Sequence, residues 1–502
     1  MNATATRFSG SGARRIHLIG ICGTAMASLA GMLKAQGCEV TGSDAAAYPP
    51  MSEMLARLHI PILQPYAESN LEPAPELVVV GNAISRENPE LERVLDARIP
   101  FCSMAQLLYD RFLAGKQRLV VAGTHGKTTT TSMLAWIFEV GGAQPSFLIG
   151  GVAENFGGSF GLRPGPDFIL EGDEYDTAFF DKGPKFLHYL PDSLILTSVE
   201  FDHADIYPGL EAVKTAFKRL VNLVPRRGRI VACQDPSQPE VEECVQQAFC
   251  PVERYGLHEG AHWRITDLRL DRERSSWQVW RQGNPWGRFE FALAGEYNVF
   301  NATAAAAMAA HHGIGVNVIA EALKSFKSVK RRLEVTAEID GITIIDDFAH
   351  HPTAIAATLT ALRARYPGAR LWAICEPRSN TLRRKIFETQ LAGSLAIADQ
   401  VVLASVFKAD AIPKGERLAT SAVVEQIGPR ARELADADAI VHAITGELEP
   451  GDVVAILSNG GFGGIYEKLP RSLREKGLHP ATPRPAAEIA AVKRVSGGQT
   501  SG

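Results

Sequence analysis

Hydrophobic residues in this chain gather into short β-branched runs. Each run stops at a glycine-rich or acidic segment, and an alanine-rich helical stretch often follows. Such alternation predicts parallel α/β architecture. Ile16-His17-Leu18-Ile19 reads as a first strand, Gly20-Ile21-Cys22-Gly23-Thr24-Ala25-Met26 as a turn, and MASLAGMLKAQ as a helix. Strands at 38–41 and 77–80 follow, ending at Gly42-Ser43-Asp44 and at Gly81-Asn82. A second series opens with a strand at 118–122, then Gly123-Thr124-His125-Gly126-Lys127-Thr128-Thr129 and a helix from Thr130. Its later strands, at 168–170 and 194–196, run into Glu171-Gly172-Asp173-Glu174 and Glu200-Phe201-Asp202-His203. A tryptophan-bearing β-rich stretch near 261–293 precedes a helix beginning near Asn301. In the third series, strands at 342–345, 371–374 and 453–456 stop at Asp346-Asp347, Cys375-Glu376 and Ser458-Asn459-Gly460-Gly461.

These series predict three domains, at 14–115, 116–332 and 333–480, with a disordered tail at 481–502 rich in small residues and proline. At 502 residues the chain is longer than one hydrophobic core usually supports. With 46% hydrophobic and 22% charged residues it is neither a disordered nor a membrane-spanning composition. A net charge of −4 argues against non-specific nucleic-acid binding, so anionic ligands must be met locally. Seven scattered cysteines without a CxxC pair imply reduced thiols. With no apolar leader segment at the N-terminus, a cytoplasmic location is expected.

In open α/β sheets, ligands sit beyond the carboxyl ends of the strands. Residues 123–129 join a strand to a helix, the context of a phosphate-binding loop: glycines admit the polyphosphate, and the helix N-terminus favours negative charge. Lys127 is placed to reach the terminal phosphates and Thr128 to offer a hydroxyl to Mg²⁺. The two residues between the glycines, where four are usual, make the generic motif a partial match. Glu171, Asp173, Glu174 and Asp176 are oxygen ligands of the kind Mg²⁺ prefers, although charges at a strand end are also commonly just solvated. His203 is a metal-ligand candidate or an ordinary surface histidine.

The turn at Gly20 to Met26, with Asp44 ending the next strand, suits a nucleotide diphosphate better than NAD, because it lacks the full G-x-G-x-x-G pattern. Asn298 and Asn301 open a helix, where amides read a base edge or simply cap. Arg331 and Arg332 could bridge a phosphate to a moving domain or be solvated. His350-His351-Pro352 and Arg378-Ser379-Asn380-Thr381 offer a polar pocket for a zwitterion, with arginine gripping a carboxylate.

In order, GICGTAM, VTGSD, YPPMS, GNAISRENP, AGTHGKTTT, EGDEYDTAFFDKGPKF, EFDHADIY, DDFAHHPTAI, EPRSNT and LSNGGFGG resemble the Mur ligases of bacterial cell-wall synthesis, from about residue 15 to 478. The resemblance implies a Rossmann-like UDP-sugar domain, a P-loop ATPase-like central domain and a Rossmann-like third domain for the incoming peptide. The implied reaction is ATP-dependent: the lactyl carboxylate of UDP-N-acetylmuramate is joined, through an acyl phosphate, to the tripeptide L-alanyl-γ-D-glutamyl-meso-diaminopimelate, in peptidoglycan recycling. Nucleic acid, membrane and an obligate protein partner are not expected.

Carried over by position, the resemblance makes Lys127, Glu174 and His203 catalytic. It assigns Thr128, Glu174 and His203 to Mg²⁺. Gly123 to Thr129, Asn298, Asn301, Arg332 and Asp347 fall to ATP, and Gly20, Cys22, Gly23, Thr24, Ala25, Met26, Ser43, Asp44 and Asn82 to the UDP-sugar. His350, Arg378, Ser379 and Asn380 are candidates for the tripeptide. Two positions depart from the pattern: Phe217 stands where several relatives have a carbamylated lysine, which argues against a carbamate at Lys218, and Tyr297 stands where a histidine is common. Ligation of free L-alanine, the reaction of UDP-N-acetylmuramate–L-alanine ligases, is the nearest alternative, although EPRSNT stands where that branch has a HRYTRT-like segment. A P-loop motor, an NAD oxidoreductase or a non-catalytic scaffold would each use only part of these motifs.

Overall fold

The computed structural model describes residues 12–47 and 49–477, so the expected tail at 481–502 lies outside the described residues. Among these residues, three sheets of five or more strands follow one another along the chain. The first is wholly parallel, ordered Ile62–Leu63, Glu39–Ser43, Arg15–Ile19, Leu77–Val80, Phe101–Ser103. Strand order reverses at Arg15–Ile19, which opens a crevice beyond its carboxyl end.

The second sheet has ten strands, and Gln117–Ala122 lies between Ser193–Leu196 and Asp167–Gly172, parallel to both. Register pairs Ala122 with Leu196 on one side and Gly172 on the other, so three strands end level. Helices Lys127–Val140 and Glu296–His311 pack together beside this sheet. Ala302, Ala304, Ala305, Ala306, Ala307 and Ala309 are completely buried, because only small side chains allow that helix to approach both its neighbour helix and the sheet. The helix starts at Glu296, a turn earlier than the sequence pattern suggests. Trp263–Leu270, Ser275–Arg281 and Asn284–Phe291 form the antiparallel extension expected near 261–293, with Trp263 and Trp277 fully buried.

The third sheet has six strands in the order Glu334–Ile339, Ile342–Asp347, Val453–Leu457, Leu371–Cys375, Gln400–Ala404, Ala431–Leu434, of which only the first pairing is antiparallel. Asp347, Leu457 and Cys375 are level at their carboxyl ends. No helix among the described residues is long and apolar enough to cross a membrane.

Glu253 anchors the β-rich extension. Its carboxylate accepts the Trp263 indole N–H at 2.6 Å, an Arg229 N–H at 2.9 Å and His311 Nε2 at 2.8 Å. Burial pushes the Glu253 carboxyl up, but the hydrogen bonds from His311 and Trp263 and the nearby charges outweigh that and hold it down at about 2. A depressed carboxyl contributes stability that is present above its ordinary value near 4.5 and lost as pH falls toward 2. Glu253→Gln is therefore expected to lower Tm by about 2–4 °C at pH 7. The gap to the parent should narrow as pH drops below 4.5 in parallel calorimetric scans, and a gap independent of pH would contradict this assignment.

Candidate active site

The loop after Gln117–Ala122 depends on its glycines. Gly123 has φ +137° and Gly126 φ +78°, and a Cβ would lie 2.1 Å from Thr197 Oγ1 at the first and 2.4 Å from Asn301 Oδ1 at the second. Neither position accepts a side chain without displacing its neighbour. The loop is also clasped to the next strand end: the N–H groups of Thr124 and His125 donate to Ser198 O and Oγ, both at 2.9 Å, and Glu200 N–H donates to Thr124 Oγ1 at 2.8 Å. Helix Lys127–Val140 starts immediately after the loop, with Gly126 as N-cap, so its first N–H groups face the concavity.

Lys127 occupies the centre. Its ammonium donates to Gly123 O at 2.6 Å, Thr124 O at 3.2 Å and Glu174 Oε1 at 3.0 Å. Burial alone would push its pKa down, but Glu174, Glu171 and Asp173 raise it, so the cation is held. Burial raises Glu171, with Lys127 acting against it. Asp173 is driven the other way: although burial raises its carboxyl, the charges of Lys185 and Lys127 and the 2.8 Å hydrogen bond from Lys185 hold it well below the usual carboxylate range. Asp173, Glu174 and His203 place ligand-type atoms within 4.8 Å of one another. His203 Nε2 lies 3.4 Å from Glu174 Oε1. Burial lowers its pKa, but the hydrogen bond and charge of Glu174 and the charges of Asp202 and Asp173 lift it to about 9. Asp176, grouped with these acids in the sequence, pairs instead with Lys182 at 2.6 Å.

A cleft of about 1200 Å³ runs from the loop to the third unit, lined by Lys127, Asn298, Asn301, Arg332, Asp347 and His203 among others. Arg332 points at the loop, its guanidinium 3.4 Å from Thr128 Oγ1. Arg331 is occupied by Asp346, Ser458 O, Gly460 O and Tyr466, so only Arg332 of the pair reaches the loop. Asp347 accepts from Leu333 N–H, Ala349 N–H and Thr358 Oγ1, and so shapes the chain at the end of its strand. Capping is not what Asn298 and Asn301 do: Gly295 is the N-cap, Asn298 donates to Ala294 O at 2.7 Å, and Asn301 packs against Gly126. Phe217 is completely buried against Phe186, and Lys218 is exposed on helix Leu210–Leu223.

The candidates in the first unit gather at the Arg15–Ile19 crevice, away from this cleft. Asp44 accepts the Cys22 N–H at 2.8 Å and so fixes the turn. Burial and the adjacent Asp44 push the Cys22 thiol up to about 12. Helix Thr24–Ala35 begins there with Gly23 as N-cap, so Thr24, Ala25 and Met26 form its first turn. Gly20 N–H donates to Ser43 O at 2.8 Å, while the Ser43 hydroxyl is buried and donates to Glu90, which leaves only its backbone on the crevice side. Asn82 follows the neighbouring strand Leu77–Val80.

The third unit docks on the second through residues far apart in sequence. Thr381 Oγ1 donates to Asp202 at 2.6 Å and accepts the Ala204 N–H at 3.2 Å. Asn380 donates to Asp205 at 2.8 Å, and Tyr175 also donates to Asp205. The Asn380 amide is thus used in docking, with its oxygen taken by Arg383 at 2.6 Å. Arg378 stacks 3.9 Å over Phe407, Ser379 Oγ accepts the Leu382 N–H, and His350 Nδ1 donates to Phe348 O at 2.9 Å. Sequence reasoning missed Tyr175, Asp205 and the docking role of Thr381; the only signal was polar residues ending separate strands.

A glycine loop at the carboxyl end of a central parallel sheet, with a separate crevice before it and a third α/β unit roofing its cleft, defines the architecture of a three-unit α/β enzyme. Family models match nearly the whole folded chain: "Mur ligase family, catalytic domain" over residues 15–114, "Mur ligase middle domain" over 121–309 and "Mur ligase, glutamate ligase domain" over 331–460. The chain belongs to the Mur ligase family. It is 44% identical over 466 residues to UDP-N-acetylmuramate–L-alanyl-γ-D-glutamyl-meso-2,6-diaminoheptandioate ligase of Escherichia coli (strain K12), covering 92% of this chain and 99% of the relative. To UDP-N-acetylmuramate–L-alanine ligase of Desulfitobacterium hafniense (strain Y51) it is 32% identical, over 90% and 98% of the two chains. A solved murein peptide ligase from Psychrobacter arcticus 273-4 superimposes with a TM-score of 0.72 at 36% identity, over 91% of this chain and 98% of that one.

Replacing Thr381 by valine keeps its shape and removes both docking hydrogen bonds. A hydrogen bond to a charged group is worth about 1.5–3 kcal/mol, so the docked population should fall roughly ten- to a hundredfold relative to the undocked one. Small-angle scattering is expected to show a larger radius of gyration for Thr381→Val. A profile superimposable on the parent's would mean other contacts hold the unit.

Proposed function

We propose that this protein joins the tripeptide L-alanyl-γ-D-glutamyl-meso-diaminopimelate to the lactyl carboxylate of UDP-N-acetylmuramate at the expense of ATP, in the cytoplasm, as part of peptidoglycan recycling. The observation that carries this reading is a half-buried Lys127 among three carboxylates under a docked third unit, in a chain 44% identical along its length to a ligase of that specificity. In this reading the N–H groups of the Gly123–Thr129 loop and Lys127 hold the phosphates of ATP, and Asn298, Asn301, Arg332 and Asp347 surround the rest of the nucleotide. The Arg15–Ile19 crevice takes the UDP portion on the first turn of helix Thr24–Ala35.

Asp173, Glu174 and His203 form a donor set suited to a divalent cation, with both Glu174 oxygens beside the Lys127 ammonium, at 3.0 and 2.9 Å. Mg²⁺ held there by Glu174 and His203, with Thr128, would neutralise phosphate charge during transfer. Attack of the lactyl carboxylate oxygen on the γ-phosphorus releases ADP and leaves an acyl phosphate. Attack of the L-alanyl amine on that acyl carbon then expels phosphate, and the amine loses a proton as the amide forms. Lys127 stabilises the oxygens that gain charge in the first step. Docking through Thr381 and Asn380 keeps water from the acyl phosphate, while His350, Arg378 and Ser379 face the incoming peptide.

Ligation of free L-alanine is the second reading, supported by the 32% identity to enzymes of that name. Purified protein incubated with ATP and UDP-N-acetylmuramate is expected to release phosphate with the tripeptide and not with L-alanine. Turnover with L-alanine alone would reverse the choice. Lys127→Ala is expected to reduce kcat by at least about 100-fold while UDP-sugar binding, on another unit, stays intact. Ligation at the parental rate in that variant would remove the loop from the mechanism.

A further inference from the structure

Outside the Asp173, Glu174 and His203 group, one more set of ligand-type side chains converges among the described residues: His125, Glu200 and His351, with ligand atoms within 4.8 Å of one another. They come from three places. His125 is on the phosphate-binding loop, Glu200 lies beyond strand Ser193–Leu196, and His351 is the N-cap of helix Pro352–Arg365 in the third unit. Glu200 Oε2 lies 3.5 Å from His125 Nε2 and 3.7 Å from His351 Nδ1. Zinc–nitrogen and zinc–oxygen bonds of about 2.1 Å at tetrahedral angles put neighbouring ligand atoms about 3.4 Å apart. The three atoms already stand near the corners of such a polyhedron.

The surroundings orient each ligand. His351 Nε2 lies 3.2 Å from Phe201 O; a carbonyl only accepts, so the proton sits on Nε2 and Nδ1, 3.7 Å from Glu200 Oε2, keeps its lone pair. A backbone carbonyl on the far nitrogen is the usual support of a metal-bound imidazole. The present partner of Nδ1 is the long cap contact from Thr353 N–H at 3.3 Å, which an ion would replace. Glu200 is braced by Thr353 Oγ1 at 2.7 Å and Gln238 Nε2 at 3.2 Å. His125 Nε2 is shielded from solvent and its nearest polar neighbour is Glu200 Oε2, so an ion between them would be met by both.

We propose that His125, Glu200 and His351 form a binding site for Zn²⁺ that ties the phosphate-binding loop to the third unit. Two imidazoles and one carboxylate favour zinc over Mg²⁺, which takes oxygen ligands, and leave a fourth position for water. The ion bridges two units, so it holds the docked arrangement in place.

The test uses the full chain, stripped of metal and kept in millimolar Mg²⁺ so that the oxygen-rich group is satisfied. Zn²⁺ is titrated against a chromophoric chelator. One equivalent is expected to bind, and His351→Asn, which preserves a good helix cap, and Glu200→Gln, which preserves the brace, should each weaken it at least about tenfold. His203→Asn should leave zinc affinity unchanged. Co²⁺ in place of Zn²⁺ should give visible bands of tetrahedral intensity that His351→Asn abolishes. No zinc uptake by the parent, or uptake that only His203→Asn removes, would overturn the proposal, as would parental affinity in His351→Asn and Glu200→Gln.

Discussion

A half-buried lysine ammonium held among carboxylates is the constraint around which the rest of this structure is arranged. At the carboxyl ends of three parallel strands, where these side chains are only partly reached by solvent from the cleft, each sign of charge is stabilised by the other. Lys127 and the acids at Glu171, Asp173 and Glu174 are therefore obligate partners. The sheet makes the pairing possible, because Gln117–Ala122 is flanked on both sides by strands that end at the same level. A one-strand shift in order would leave the acids across the sheet from the cation. The glycines at 123 and 126 then bend the backbone so that Gly123 O and Thr124 O share the ammonium with Glu174.

The same strand ends carry the docking of the third unit. Asp202 receives Thr381, and Glu200 receives Thr353, within a few residues of His203. Burial pushes the Asp202 carboxyl up, but the His203 and His350 charges and the Thr381 hydrogen bond hold it well below its ordinary range. The anion that fixes the third unit is thus itself fixed by residues of the candidate active site. Docking and the electrostatics of the loop are one network, and a change of charge at the loop is felt at the interface between units.

Much of this was legible in the sequence because parallel strands buried on both faces read as unbroken apolar runs, and each run here stops where chemistry begins. The α/β class, the loop at 123–129 and the acids at 171–174 all follow from that pattern. Other features were hidden because they depend on pairings between distant positions. Nothing local in EPRSNT shows that Thr381 meets Asp202 or that Asn380 meets Asp205. Ser43 looks like a crevice residue by position, but the buried Glu90 carboxylate needs a donor, and the serine hydroxyl supplies it. Asn298 and Asn301 look like caps because they sit near a helix start, yet the chain enters that helix at Gly295.

Splitting the cleft between two units has a further physical consequence. An acyl phosphate is consumed by water as readily as by an amine, so a site permanently open to solvent would waste nucleotide, and a permanently closed one would admit no peptide. Hydrogen bonds at 2.6–3.2 Å between polar side chains and backbone, with ring contacts such as Phe201 against Phe387, hold the two units together. Each bond contributes on the order of 1–3 kcal/mol, enough together to favour the docked state without making it irreversible. Those bonds fall at Asp202 and Asp205, on the loop that also carries His203, which contacts Glu174 beside Lys127.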